Sequence, residues 1–324
     1  GTVTTTTTII HMTRFGYVAI IGKPNAGKST LLNSLLGEQL SIVTSKPETT
    51  RRSVVGIYTD ESMQAVFLDT PGIVPRPKFE LHRQMIGFIH QAVQEADAIL
   101  VIVDITESMR TLMDVLTPEL RNDIKDSGKP CILVVNKMDV LEEKAVALPK
   151  ILELMKTGLF VDNVAISARY NKFVDELVKV LATHLPEGEF GYDPEQLSTQ
   201  PEIFFVAEYV REQCFEMFRD EIPYSTEVRV MKYEERTKGK VFIQAEVVVD
   251  RTAQRGIIIG SKGASLKELG SRARTRIEEH LGVGVFLELH VRVKADWRDS
   301  ERDLREFGYE GYGDLTVGDG PVTE

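Results

Sequence analysis

Cysteine is scarce in this chain of 324 residues: Cys131 and Cys214 stand far apart, and Cys131 lies in an apolar run. Two such residues exclude a disulfide framework and read as buried thiols in a reducing cytoplasm. Long hydrophobic runs are missing as well. The strongest, residues 98–103, falls far short of the ~20 residues needed to cross a bilayer. The opening residues 1–12, with their run of threonines before His11 and Met12, lack the charged start and apolar centre of a signal peptide. Residues 1–13 are therefore set aside as a tag or disordered leader. Net basic charge is also absent, and a formal balance of −10 argues against a surface that binds phosphate backbones everywhere.

What is present is an ordinary globular composition, 42% apolar and 27% charged, with length enough for two cores. The charge is unevenly spread. Residues 200–300 balance at 17 basic and 17 acidic, whereas residues 251–276 hold seven Lys or Arg against Glu268 alone. A local basic stripe survives inside an acidic chain.

From residue 17, β-rich runs at 17–22, 65–69, 98–104, 131–136 and 164–167 alternate with segments of helical period. This predicts an α/β domain whose parallel sheet is covered on both faces. Ligands of such sheets sit beyond the carboxyl ends of the strands, and every motif below falls there.

Gly22-Lys23-Pro24-Asn25-Ala26-Gly27-Lys28-Ser29 follows the first run and precedes a helical segment from Thr30. That is a P-loop: its backbone N–H groups curl around phosphates, Lys28 reaches the outer ones, and the Ser29 hydroxyl serves Mg²⁺. Asp69-Thr70-Pro71-Gly72 closes the second run, placing a carboxylate for the Mg²⁺ and the Gly72 N–H for a γ-phosphate. Asn136-Lys137-Met138-Asp139 ends a later run. A carboxylate there accepts from guanine N1–H and its 2-amino group, a pair that adenine does not offer, so GTP is expected over ATP. The competing reading makes Asp139 a helix N-cap. Ser167-Ala168-Arg169 follows the last run and would offer a backbone N–H to guanine O6.

The order of these motifs resembles the TrmE-Era branch of GTPases over residues 15–185, and implies a mixed sheet with helices on both faces. The resemblance makes Thr50 the switch threonine on Mg²⁺, with Thr49 a competitor, and counts Ile73 among the nucleotide contacts. Ile73 stands where many GTPases carry a water-orienting glutamine, and a hydrocarbon cannot orient water. Asn25 resembles the residue with which relatives hold K⁺ against the phosphates; such a cation would stabilise transition-state charge. Lys28, Thr50 and Asn25 are thus the expected catalytic set, and Ser29, Thr50 and Asp69 the Mg²⁺ set.

Residues 186–200, rich in Pro and Gly, read as a linker between a domain at 14–185 and a second at 201–298. In the second, Gly260-Ser261-Lys262-Gly263 lies between an apolar run and a basic helical segment. It resembles the Gly-x-x-Gly loop of type II KH domains, which clamps about four nucleotides of a single strand. Arg251, Arg255, Lys267 and Arg272 flank it, with Arg274 and Arg276 extending the same track; a solvated basic helix face is the alternative. Residues 299–324, acidic and Gly-containing, read as a C-terminal tail.

The combination implies a GTP/GDP switch that binds the 3′ end of small-subunit (16S) ribosomal RNA and assists assembly of the small ribosomal subunit. The resemblance extends to contact with the inner-membrane surface. With no heptad seam, a cytoplasmic monomer is expected. The rival is an RNA-binding module whose first domain is a structural, nearly inactive clamp.

Overall fold

The computed structural model describes residues 13–74, 76–235 and 239–309. The expectations for residues 1–12 and for the tail beyond residue 309 lie outside them.

The first domain is built on six strands: β1 (Arg14–Gly22), β2 (Val54–Thr59), β3 (Met63–Asp69), β4 (Ala98–Asp104), β5 (Cys131–Asn136) and β6 (Asp162–Ala165). Their order is β2-β3-β1-β4-β5-β6, parallel throughout except for the antiparallel β2–β3 pair. The central strands are near-continuous apolar runs because helices cover both faces. These helices are α1 (Lys28–Leu36), α2 (Glu80–Glu95), α3 (Met109–Met113), α4 (Pro118–Ser127), α5 (Ala147–Met155) and α6 (Val174–His184). Strand β2 is the element that the alternation of runs did not predict; it turns the sheet from parallel to mixed.

The outer edge of β2 is closed by the linker. Ile57 N–H donates to Leu197 O at 2.8 Å, and the Gln200 side chain accepts from Val55 N–H at 2.9 Å and donates to Ser53 O at 3.0 Å. Residues 186–200 are therefore pinned along a sheet edge that would otherwise expose unpaired backbone groups.

The second domain follows as α7 (Glu202–Met217), β7 (Thr226–Glu234), β8 (Val241–Val249), α8 (Thr252–Ile259), α9 (Ala264–Leu281) and β9 (Val285–Val293). Its sheet is β7-β8-β9, with β7–β8 antiparallel and β8–β9 parallel. One layer of helices packs on it through Phe205, Ile258, Leu269, Ala273 and Ile277. This is the arrangement of a type II KH domain.

The tail expected from residue 299 onward is corrected over residues 300–309. Glu301–Glu306 form a further helix, α10, capped by the Ser300 hydroxyl. Leu304, Phe307 and Tyr309 are buried with Trp297 against Leu81, Met85 and Phe88 of α2. Glu301 and Glu306 face outward, Asp303 is buried against Lys294 at 2.9 Å, and Leu304 and Phe307, three apart, fill a seam between the domains together with Tyr309.

Cys131 and Cys214 are buried and unpaired, and burial pushes both thiols up to about 12. Ellman's reagent at pH 8 is expected to find no reactive thiol in the folded protein and both in urea, since attack requires the thiolate.

Candidate nucleotide site and nucleic-acid interface

At the carboxyl edge of the first sheet lies a cavity of about 800 Å³. Its wall includes Pro24, Asn25, Gly27, Lys28, Ser29, Thr30, Thr50, Gly72, Asn136, Lys137, Asp139 and Arg169. Motifs separated by more than a hundred residues thus converge because each ends a neighbouring strand.

The loop after β1 bends through Asn25 (φ 62°) and Gly27 (φ 102°). A Cβ on Gly27 would stand 2.2 Å from the Asn136 amide nitrogen, so only glycine fits here. Lys28 is buried and its ammonium donates to Gly22 O and Lys23 O at 3.1 and 2.9 Å. Burial pulls its pKa down to about 8, opposed by the charge of Asp69. An anion in the cavity would restore the preference for the charged form.

Ser29, Thr50 and Asp69 meet as expected. Ser29 Oγ donates to Asp69 Oδ2 at 2.6 Å and lies 3.0 Å from Thr50 Oγ1. Ser41, which the sequence reading did not single out, adds a hydroxyl to Asp69 Oδ2 at 2.9 Å. Asp69 is fully buried, its pKa is raised by that burial against the pull of Lys28, and its Oδ1 has no hydrogen-bond partner. An orphaned carboxylate oxygen beside two hydroxyls is a donor set for a hard cation such as Mg²⁺. Thr49 is occupied elsewhere, with Thr44 Oγ1 at 2.6 Å and Lys46 O at 2.8 Å, which favours Thr50 as the switch residue.

At the other end, Asp139 accepts from the Ser167 hydroxyl. Asn136 is a brace: its amide donates to Ala26 O at 2.9 Å and accepts from Ala168 N–H at 3.0 Å, tying three motifs together. Lys137 pairs with Asp104 at 2.6 Å. Several other expected contact residues stand behind the wall. Thr70 Oγ1 donates to Ile20 O, Ile73 N–H to Gly22 O, and Met138 N–H to Ile166 O; Lys23 reaches Thr111 O and Asp114. Pro71, Ala26 and Ser167 likewise support the loops from outside the cavity surface. The wall that sequence reading missed is residues 42–46 and Glu48, with Val140 and with Glu216 from α7. These carry no periodic signal, and Lys46 is drawn to the carbonyls of Phe215 and Phe218 in the second domain.

In the second domain, Gly260 (φ 71°), Lys262 (φ 51°) and Gly263 (φ 79°) form a tight turn between α8 and α9. A Cβ on Gly260 would meet Ser265 Oγ at 2.3 Å. Ser261 and Lys262 are exposed at its tip, and Arg251, Arg255, Lys267, Arg272 and Arg274 are exposed around it. Arg272 is partly committed to Glu268 at 2.7 Å. Arg276 leaves the expected track: it pairs with Glu212 at 3.5 Å, lies over the Tyr209 ring and donates to Gln39 O, because the last turns of α9 face the first domain.

The segment after Thr50 crosses to the second domain. Buried Arg51 donates to Thr226 O, Pro223 O and Tyr224 O at 2.7, 3.1 and 3.0 Å and pairs with Glu227 at 3.2 Å. Arg52 pairs with Glu208 at 3.3 Å and donates to Phe307 O at 3.2 Å. Arg211 pairs with Glu208, and the Tyr309 hydroxyl donates to Glu227.

Residues 17–137 match a family model described as a 50S ribosome-binding GTPase, and residues 221–298 match one described as a KH domain. Over 301 residues the chain is 42% identical to the GTPase Era of Geobacter metallireducens, covering 91% of this chain and 98% of that protein. It is 40% identical over 299 residues to a chloroplastic ERA-like GTPase of Oryza sativa subsp. japonica, covering 92% and 70% respectively. A crystal structure of Era in complex with MgGDPNP and nucleotides 1506–1542 of 16S ribosomal RNA superposes with a TM-score of 0.86 at 40% identity, covering 92% of this chain and 99% of that one. A variant Era from Aquifex aeolicus bound to GDP and aluminium fluoride gives 0.85 at 40% identity, covering 91% and 99%.

Proposed function

The chain belongs to the Era family of GTPases, and from that premise we propose that it is a switch whose GTP-bound form holds the 3′ end of small-subunit (16S) ribosomal RNA during assembly of the small subunit. GTP hydrolysis to GDP and phosphate is its reaction. The observation that carries the switch reading is chain continuity: Thr50 lies 3.0 Å from Ser29 in the phosphate end of the cavity, and the next two residues are anchored in the second domain. A segment bound at both ends transmits any shift of Thr50 to the RNA-binding half.

In this reading, Gly22 to Thr30 wrap the phosphates and Lys28 neutralises their charge. Asp139 reads the guanine, supported by Ser167, Ala168 and Arg169, while Gly72 N–H meets the γ-phosphate. Ser29, Thr50 and Asp69 would hold Mg²⁺, which neutralises charge on the phosphate oxygens. Ile73 is buried and offers no hydrogen bond to a water. The remaining positive charge for the transition state is assigned to Lys28 and to K⁺ held near Asn25, which lies exposed at the cavity mouth and donates to Ser45 O at 3.2 Å.

Gly260 to Gly263, with Arg251, Arg255, Lys267 and Arg272, hold the RNA. The protein works as a monomer in the cytoplasm and at the inner-membrane surface; among the described residues no helix is long and apolar enough to cross a membrane.

The test is steady-state GTP hydrolysis in KCl and in NaCl, with and without a single-stranded RNA copying the 3′ end of 16S ribosomal RNA. Faster turnover in KCl and a further rise with RNA are expected. Equal rates in the two salts remove the K⁺ role. RNA that binds without changing the rate leaves the structural-clamp reading instead.

A further inference from the structure

Beside the guanine end of the cavity, the chain turns through Arg169, Tyr170, Asn171, Lys172 and Phe173. The turn is rigid: Ser167 and Lys172 exchange two backbone hydrogen bonds of 3.0 Å, and Asn171 accepts from the Ser34 hydroxyl at 2.9 Å. Yet its two aromatic side chains are exposed, Tyr170 at 56% and Phe173 at 56%. Phe173 also adopts φ 59°, a left-handed conformation rarely taken by a bulky residue. Core packing does not account for it, since the ring points outward. Arg169 and Lys172 lie over the Tyr170 ring at 5.6 and 6.0 Å, and neither forms an ion pair among the described residues. Two exposed aromatic side chains interleaved with these two cations form the kind of surface that single-stranded nucleic acid takes, bases stacking on the rings and phosphates meeting the charges.

The surroundings extend this surface toward the second domain. A second crevice, of about 450 Å³, is lined by Arg169 and Asn171 from this turn, by Glu38 and Gln39 after α1, and by Glu212 and Arg276 of the second domain. Glu212 is already paired with Arg276. Arg276 lies on the same helix as Lys267 and Arg272, thirteen positions beyond Gly263, or about 20 Å at the helical rise. A KH loop clamps only about four nucleotides, so a longer strand laid along α9 is delivered to this crevice and to the aromatic turn.

We propose that Tyr170, Lys172 and Phe173 form a second single-stranded RNA contact, on the GTPase domain, continuing the strand held by Gly260–Gly263 and bringing RNA to the edge of the guanine pocket. The proposal rests on the RNA reading of the second domain, and its test separates the two. Fluorescence anisotropy of the full chain is measured with strands of 4 and 12 nucleotides from the 3′ end of 16S ribosomal RNA. The Tyr170→Ser/Phe173→Ser variant is expected to lose on the order of tenfold or more in affinity for the longer strand, the effect of one or two stacked bases. Its affinity for the shorter strand should match the parent. Unchanged affinity for the longer strand overturns the proposal, as does an equal loss on both. Ser261→Asp/Lys262→Asp should lose both strands; if it binds both normally, it is the KH reading that fails. A photocrosslink from a 5-iodouridine-labelled 12-mer is expected within residues 169–173, and crosslinks confined to residues 251–276 count against it. A Tyr170→Ser/Phe173→Ser variant that binds RNA normally but no longer sediments with small subunits would assign the turn to a protein partner and overturn the RNA assignment.

Discussion

Replacing Asp139 with asparagine is expected to lower GTP affinity on the order of 10³-fold and to exchange the preferred base for xanthine. Asp139 lines the cavity and already accepts one hydrogen bond from Ser167, so its other carboxylate oxygen is available to a base. Guanine presents two donors, N1–H and the 2-amino group, and a carboxylate takes both. The carboxamide of the variant has one acceptor and one donor, so it opposes the guanine amino group with an N–H. Sites built on paired polar groups reject a mismatched partner by as much as ~10⁴–10⁵, because the wrong partner leaves buried polar groups unsatisfied. Xanthine carries a carbonyl in place of the amino group and matches the carboxamide. Competition of XTP against a fluorescent GTP analogue reads both effects. An Asp139→Asn protein that still prefers GTP would return Asp139 to a structural N-cap role.

Arg51→Met is expected to cost about 3–5 kcal/mol in urea unfolding, the range for breaking a buried ion pair from one side. Methionine keeps much of the packing against Phe215 and Trp297, over whose rings the guanidinium lies at 5.7 and 5.9 Å. It cannot donate to the carbonyls of Pro223, Tyr224 and Thr226, and it leaves Glu227, 1% exposed at its side chain, without its ion-pair partner, held by the Val228 N–H, the Tyr309 hydroxyl and the more distant charges of Arg211 and Arg52. Calorimetry should resolve the consequence: a joined transition in the parent becomes two, as the second domain loses its anchor to the first. Arg83→Met, at an exposed pair with Glu80, serves as the control and should change stability by less than about 1 kcal/mol. A single undivided transition in Arg51→Met would show that the apolar seam of Leu81, Met85, Trp297 and Phe307 suffices without the ion pair.

How much of this was legible in the sequence follows a physical division. The P-loop, the Asp69 turn and the Asp139 motif are short, and each needs particular residues over a few positions: Gly27 because Asn136 crowds it, Ser29 and Asp69 because a hard cation wants oxygen. Such requirements appear in sequence directly. Strand β2 did not, since its residues Val54 to Thr59 follow a segment of no periodicity and the pairing partner decides their direction. The cavity wall at residues 42–46 and Glu48 escaped for the same reason.

The contacts between domains were hidden by separation. Arg51 and Arg52 read as two basic residues after a threonine pair; nothing local marks Glu208, Glu227 or Tyr309 as their partners. Residues 300–309 were misread because composition outweighed spacing: the acids suggested a tail, while Leu304 and Phe307, three apart and near Trp297, carried the signal of a packed helix. Arg276 shows the converse, a basic residue on a basic helix that turns inward because Glu212 and Tyr209 stand opposite.

The hydrogen bond from Arg52 to the carbonyl of Phe307 spans 255 residues. On a translating ribosome adding ~5–20 residues per second, its acceptor follows its donor by roughly ten to fifty seconds. Within that interval, after β6 is made and before Glu208 follows, the first domain has every strand of its own sheet yet none of the carbonyls or carboxylates of the second domain that engage Arg51 and Arg52. A newborn chain therefore passes through a stage in which the first domain's part of the nucleotide cavity is assembled and the segment after Thr50 is untethered, and the contact between Arg52 and Phe307 closes only when residue 307 has left the exit tunnel.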